Sequence, residues 1–254
     1  MRRVDYDDHQ HRVFSRARAL LPENARLWSG IFGDRFGDAR TVVDAGAGVG
    51  IYSALLADSL PVAQVMAVEP SDRMREVAER EHGHARVRYL AGTAERLPIE
   101  DGSCDGALFS NVLHHVDNRA ATAAEAHRVL RPGGCVMARG SLRDALRLNP
   151  HWSFFPAALD IAERQMPTVA EVVDVFTAAG FEHIASEVVD QPAARSLSEF
   201  AERIGLRAIS SLELLDDDLF EEGMRRLRAA AAEEAEPEPV IERLDLVVLR
   251  RSAG

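Results

Sequence analysis

The sequence predicts an α/β fold: a doubly wound, mostly parallel seven-stranded sheet, with helices before it and a helical lid inserted before the last strand. Three observations predict it. Short apolar and β-branched runs alternate with helical segments; parallel strands need crossover helices, and their right-handedness leaves a sheet covered on both faces. A turn carrying three glycines, "VVDAGAGVGIY" (42–52), follows the first run. A carboxylate, Glu69, closes the second run, nineteen residues after Gly50.

The elements follow in order. A helix is expected around 10–20, Pro22 breaks it, and a second helix runs through Trp28 and Phe32. "RTVVDAG" is strand one, "GIYSALLADSL" the helix after it, and "AQVMAVE" strand two. "SDRMREVAEREH" is an amphipathic helix with Ser71 as N-cap. "ARVRYLAG" and "CDGALFSN" are strands three and four; "NRAATAAEAHRVL" is a helix ended by the turn "RPGG", and "CVMARGS" is strand five. An irregular stretch with Trp152, Phe154 and Phe155 among prolines precedes "TVAEVVDVFTAAGF", a helix opened by a Thr168/Glu171 capping box and stopped by Gly180. "EHIASEVVDQ" and "RLDLVVL" are the last two strands, separated by a long, mostly helical excursion of the kind that covers a binding edge. The expected organisation is a helical cap over 1–40, a sheet core over 41–192, a lid over 193–238 and a last strand within 239–254.

Composition narrows the function. The formal net charge is −11, a field that disfavours nucleic acid and anionic membranes as partners. No run of about 18 apolar residues spans a membrane. The start "MRRVDYDDHQHRVF" lacks the apolar core of a signal peptide, and the two cysteines, Cys104 and Cys135, each fall within a strand as free thiols. A cytoplasmic protein is expected, its oligomeric state open.

Ligands of such sheets bind at the carboxyl ends of the strands, where Asp44 to Gly50, Glu69, Gly92 to Glu95, Ser110 to His115 and Arg139 to Ser141 are expected to gather. The glycine spacing here is G-x-G-x-G, with Ile51 where the dinucleotide fingerprint G-x-G-x-x-G requires its third glycine. Glu69 is placed to accept both hydroxyls of a ribose, a feature common to dinucleotides and other nucleosides.

The next segments separate these choices. "VVDAGAGVGIY", "VMAVEPSDRM", "LAGTAERLPIEDGSCDGALFSNVLHHV" and "EAHRVLRPGGCVMARGS" together resemble the class I S-adenosylmethionine-dependent methyltransferases, in the small-molecule, type 11-like branch. The resemblance is strong over 40–141 and looser over 168–190. It implies a Rossmann-like methyltransferase fold and S-adenosylmethionine as donor, with S-adenosylhomocysteine as product. It also implies that Gly46, Ala47, Gly48 and Gly50 pass under the donor, that Asp44 holds the methionyl ammonium and that Glu69 holds the ribose diol. Pro70 and Met74 would line the adenine slot with Thr93, Ala94 and Glu95; the family's usual "GDAE" is "GTAE" here, which shifts the adenine contact toward the Ala94 backbone. Asn111 would face the sulfonium.

Methyl transfer from a sulfonium disperses charge, so positioning in a dry pocket supplies most of the rate, and a base is needed only if the acceptor must lose a proton. His114 and His115 are the candidates for that base. Arg139, Trp152, Phe154, Phe155 and His115 are candidate acceptor contacts, with Tyr6 closing the site from the N-terminal segment. His9 and His11 have no partners at ligand spacing, and no metal is expected. The place of the Asn/Asp-Pro-Pro-Tyr tetrad of base- and glutamine-methylating enzymes reads "SNVL". The expected acceptor is therefore a small molecule with an apolar or aromatic body, such as a secondary metabolite or precursor. A macromolecule-directed methyltransferase and a non-catalytic binder of the donor are the alternatives.

Overall fold

A computed structural model describes residues 17–60 and 63–253. Tyr6, His9, His11 and most of the helix expected over 10–20 lie outside the described residues. Helix α1 (Pro22–Phe36) begins on its proline, which needs no helical acceptor for a missing N–H. Then come β1 (Thr41–Ala45), α2 (Ile51–Ser59), β2 (Gln64–Glu69), α3 (Asp72–His82), β3 (Val87–Ala91), β4 (Cys104–Ser110), α4 (Arg119–Val129) and β5 (Leu130–Gly140). Beyond them lie α5 (Arg143–Leu146), a 3₁₀ turn (Pro150–Ser153), α6 (Pro156–Gln165), α7 (Val169–Ala178), β6 (Phe181–Ala194), α8 (Leu197–Gly205), α9 (Ser210–Glu213), α10 (Asp217–Glu233) and β7 (Val240–Arg251).

The seven strands form one sheet in the order β3-β2-β1-β4-β5-β7-β6, with β7 antiparallel to both its neighbours and the other pairings parallel. The strand order reverses between β1 and β4, where open α/β sheets bind ligands. The expected caps form: Ser71 Oγ accepts from Met74 N, and Thr168 and Glu171 close a capping box. One expectation is corrected. "RPGG" is not a turn outside strand five but part of β5, where Leu130 pairs with Cys104 before the register shifts at Gly106. The irregularity lets the strand carry Pro132, which has no N–H for a ladder, and Gly133 at φ +80°.

Alternation along the strands sorts the core into two faces. Val43, Ala45, Phe109, Val136 and Val247 pack with α4 and α7 on one face; Val42, Leu108, Met137, Leu246 and Val248 pack with Trp28, Phe32 and Phe36 of α1 on the other. Polar residues continue this second face at the carboxyl edge: Asp44 in β1, Ser110 in β4 and Arg139 in β5, with Ser110 directly beside Arg139.

A third cluster joins the expected lid to a second segment. The lid does not stand alone, because Leu146, Trp152, Phe155, Ala158 and Ala162 from the 142–166 stretch pack with Phe200, Ile204, Leu212, Phe220, Met224 and Leu227. Two segments separated by α7 and β6 thus build one cap, since neither has an apolar face wide enough to be buried by itself.

Candidate active site

A cavity of about 490 Å³ opens at the carboxyl ends of β1, β2, β4 and β5, roofed by the cap. Its floor begins with the glycine turn. Gly46 N and Ala47 N donate to Val68 O at 2.8 and 3.0 Å, tying the turn to β2. Gly46 lies at φ +78°, and a Cβ there would come within 2.4 Å of Val112 Cγ2, so a side chain is excluded twice over. Gly46, Ala47 and Gly48 line the cavity; Gly50 does not. That corrects one expectation: Gly50 caps α2 in the left-handed region and abuts Tyr89, whose hydroxyl would be 2.2 Å from an added Cβ.

Glu69 is nearly buried, and its carboxylate spans two elements: Oε2 accepts from Gly48 N at 2.9 Å and Oε1 from Ser71 N at 3.0 Å. It fixes the turn to the start of α3, and a carboxylate has further lone pairs for other donors. Asp44 is 1% exposed. Its Oδ2 accepts from Ser53 Oγ at 2.6 Å, while Oδ1 has no hydrogen-bond partner. Burial pushes its pKa up to about 6, against the lowering by Ser53.

Pro70, Met74, Thr93, Ala94 and Glu95 extend the same wall. Met74 also packs with Val49 and Val77. Glu95 accepts from the backbone N–H of Asp117 at 2.7 Å and of Asn118 at 3.3 Å, joining the loop after β3 to the loop after β4. Asn111 sits at φ +54°, unusual for a residue with a side chain, and is held there by its N–H bond to Arg139 O at 2.8 Å.

The histidines and Arg139 lie on the far side of that turn. His114 and His115 both line the cavity with ring centroids 3.8 Å apart. Burial, reinforced by His115, holds the His114 pKa well below the ordinary range, so it is neutral at physiological pH. Arg139 is 3% exposed and packs against the perpendicular rings of Trp28 and Tyr52, its Cζ 4.1 and 4.3 Å from their centroids. Burial lowers its pKa as well.

Of the aromatic trio, only Trp152 lines the cavity, with its Nε1 donating to Leu146 O at 2.6 Å. Phe154 and Phe155 are corrected: Phe155 is 1% exposed and stacks on Phe220 at 5.7 Å, and the Phe154 carbonyl accepts from Arg226. They build the cap. Apolar contact between its two segments uses them up.

Sequence reasoning missed several lining residues: Asn24, His151, Gln191, Arg203, Ser211 and Glu242. His151 is buried beside Trp152, with its pKa pushed down to about 3 by burial. The only signal for it was its place beside that tryptophan. Among the described residues, six buried side-chain polar atoms lack a partner, and five of them belong to cavity residues: Asn24 Oδ1, Asp44 Oδ1, Arg139 Nε, His151 Nε2 and Ser211 Oγ. Orphaned buried polar atoms are costly, so their clustering marks a place built for a polar partner. Among the described residues no cluster of three or more His, Cys, Asp and Glu could hold a metal, and no helix is long and apolar enough to cross a membrane.

Comparison with known proteins agrees with this geometry. Residues 43–138 match the family described as a methyltransferase domain. A ubiquinone/menaquinone biosynthesis C-methyltransferase from Rubrivivax gelatinosus is 33% identical over 114 residues, 45% of this chain and 44% of that protein. A malonyl-[acyl-carrier protein] O-methyltransferase from Xylella fastidiosa is 31% identical over 197 residues, 66% of this chain and 65% of that protein. The matched part is thus under half of the first relative and just under two thirds of the second. A solved methyltransferase assigned to an antibiotic biosynthesis pathway of Anabaena variabilis superposes with a TM-score of 0.69 at 24% identity, covering 87% of this chain and 96% of that one. Geranyl diphosphate methyltransferase, solved with its diphosphate and sinefungin, gives 0.56 at 19% identity, covering 93% of this chain and 81% of that one. At those identities the structures speak for the fold, and the sequence matches speak for the family. The matched domain, the relatives and the fold together support a class I S-adenosylmethionine-dependent small-molecule methyltransferase.

Proposed function

We propose that this protein transfers a methyl group from S-adenosylmethionine to a small-molecule acceptor with an apolar or aromatic body. Asp44 carries the reading. A carboxylate oxygen without a partner, buried at the edge of a turn stripped of side chains, fits a cationic ligand, and the methionyl ammonium is one. Glu69, already anchored by two backbone N–H groups, would take the ribose diol with its remaining lone pairs. Pro70, Met74, Thr93 and Ala94 would face the adenine, and Asn111 the sulfonium. When bound, the donor supplies an electrophilic methyl group for in-line displacement.

The protein's own contribution is orientation and exclusion of water. The cap presents Leu146, Trp152, Phe200 and Ile204 to the cavity, an apolar wall for the acceptor's body. His114, too weak a base to store a proton near neutrality, serves as a hydrogen-bonding group beside His115. A macromolecular acceptor would have to present its target atom beneath that roof, which favours a small molecule. Calorimetry with S-adenosylmethionine against NAD tests the donor; tight NAD binding without sulfonium binding would refute the reading. Formation of S-adenosylhomocysteine during a metabolite screen separates an enzyme from a non-catalytic binder.

A further inference from the structure

Resting on that reading, the cavity floor also points to a class of acceptor. A guanidinium carries five N–H donors and is never neutral in a protein. Arg139 is buried, yet among the described residues its one hydrogen-bond acceptor is Ser110 Oγ, 2.7 Å from Nη1. Nε has none, and no described carboxylate makes an ion pair with it. The Trp28 and Tyr52 rings and the more distant carboxylates of Glu242 and Asp44 favour its charge, but they accept none of its N–H groups, and a buried donor without an acceptor is costly. Arg203, also on the cavity wall, is different: its donors are taken up by the carbonyls of Ala17, Ala19 and Ala193.

Trp28 and Tyr52, their rings perpendicular and 6.4 Å apart, pack on adjacent sides of the guanidinium at 4.1 and 4.3 Å and offer it no hydrogen-bond acceptor, so its in-plane N–H fork is left to match the two oxygens of a carboxylate. This packing is itself braced. Trp28 Nε1 donates to Gln191 Oε1 at 2.6 Å, and Gln191 Nε2 donates to Glu242 Oε1. The Glu242 carboxylate at the end of that row is therefore already engaged by an amide.

Position then separates the two sources of a ligand carboxylate, the donor's methionyl end and the acceptor. The donor-facing residues lie on β1, β2, the loop after β3 and the end of β4. Arg139 lies on β5, with β4 between it and Asp44 and hence roughly 10 Å from β1, where it shares the cavity with Trp152, Phe200 and Ile204. We propose that Arg139 anchors a carboxylate of the acceptor, so that the substrate is an amphipathic organic acid whose body lies against the apolar cap.

The test uses matched probes: benzoate, 2-naphthoate and decanoate, each beside its primary amide, titrated by thermal shift with and without S-adenosylhomocysteine. At least one acid should stabilise the protein at about tenfold lower concentration than its amide, the usual scale of a lost charged hydrogen bond. Arg139→Gln should abolish that preference while changing S-adenosylhomocysteine affinity by less than about twofold. Arg139→Lys, which keeps the charge without the fork, should retain part of it. Amides matching the acids in the wild type would overturn the proposal, a comparison that needs no variant to fold. So would an acid preference surviving in Arg139→Gln, or a tenfold loss of nucleoside affinity there, which would assign the carboxylate to the donor. Failure of the methyltransferase reading shows separately, as no shift with the nucleoside alone, and leaves the acid–amide comparison readable.

Discussion

The two halves of the cavity are built differently. The half proposed for the donor is built largely from backbone at neighbouring strand ends: a turn at 46–48, one carboxylate anchored by two N–H groups, and a helix capped by Ser71. Its shape follows from where side chains are missing. The half proposed for the acceptor is assembled from pieces far apart in sequence, with Asn24 from α1, Arg139 from β5, His151 and Trp152 from the 3₁₀ turn, and Phe200 and Ser211 from the second cap segment. Its shape follows from how side chains pack. A backbone-defined site tolerates little change within a short motif, whereas a packed site can be reshaped by exchanging residues in several segments. A shared donor with varied acceptors requires that division of labour.

If the comparison is right, the largest effect on the cap leaves the donor half intact. Phe155 stacks on Phe220 and abuts Gly223, where even an added Cβ would lie 2.3 Å from its ring. Phe155→Ala should cost about 3–5 kcal/mol of stability, the range for an aromatic deleted from a packed core. S-adenosylhomocysteine affinity should stay unchanged when measured below the new melting temperature. A parallel collapse of nucleoside binding would mean that the halves are one unit.

Next in size is the donor side. Glu69→Ala removes the acceptor for Gly48 N and Ser71 N as well as the proposed ribose contact. Donor affinity should fall by about 1.5–3 kcal/mol, as for hydrogen bonds to a charged group. Calorimetry checks it; unchanged affinity would remove Glu69 from the ribose.

Asp44 gives a smaller effect with a definite sign. Its pKa in the folded protein, about 6, stands above the ordinary 3.8, because burial favours the neutral carboxyl. By linkage, stability from this group is fully present below pH 3.8 and is lost as pH rises through 6. Binding of an ammonium runs the opposite way, since the cation requires the ionised form. S-adenosylhomocysteine affinity should therefore fall about tenfold between pH 7 and pH 5, and Asp44→Asn should flatten the profile. His151 does not compete for this assignment, because burial drives it down to about 3, and burial shifts His114 in the same direction.

The same contrast explains what was legible in the sequence. All seven strands, the Ser71 cap and the Thr168/Glu171 box were readable because period, capping residues and punctuation act over a few neighbours. So was the gathering of Asp44, Glu69, Thr93 to Glu95 and Asn111 around the 46–48 turn in one cavity, since a turn forced to exclude side chains can only be written with glycine and other small residues. Gly50 shows the limit: it belongs to the motif but is needed for Tyr89, a contact with β3 that spacing does not reveal. Phe154 and Phe155 were misplaced for the same reason. An aromatic beside prolines looks alike whether it faces a ligand or a second segment. Asn24 and Ser211 had no local signature, and His151 only its place beside Trp152, because what distinguishes them is a partner missing in three dimensions.

That missing partner yields the smallest and most discriminating effect. Ser211 is 1% exposed, and its Oγ has no hydrogen-bond partner, although it lies on the cavity wall. A hydroxyl desolvated without a bond lowers stability, so Ser211→Ala should raise it by up to about 1 kcal/mol. Urea unfolding with an unchanged m-value measures this. If Ser211 were a structural contact of the cap, as Phe155 is, the same change would lower stability. A gain would instead mark the hydroxyl as held at the fold's expense for something that enters the cavity. The acceptor half would then be strained toward its ligand, while the donor half satisfies most of its own polar groups and leaves only the Asp44 oxygen open.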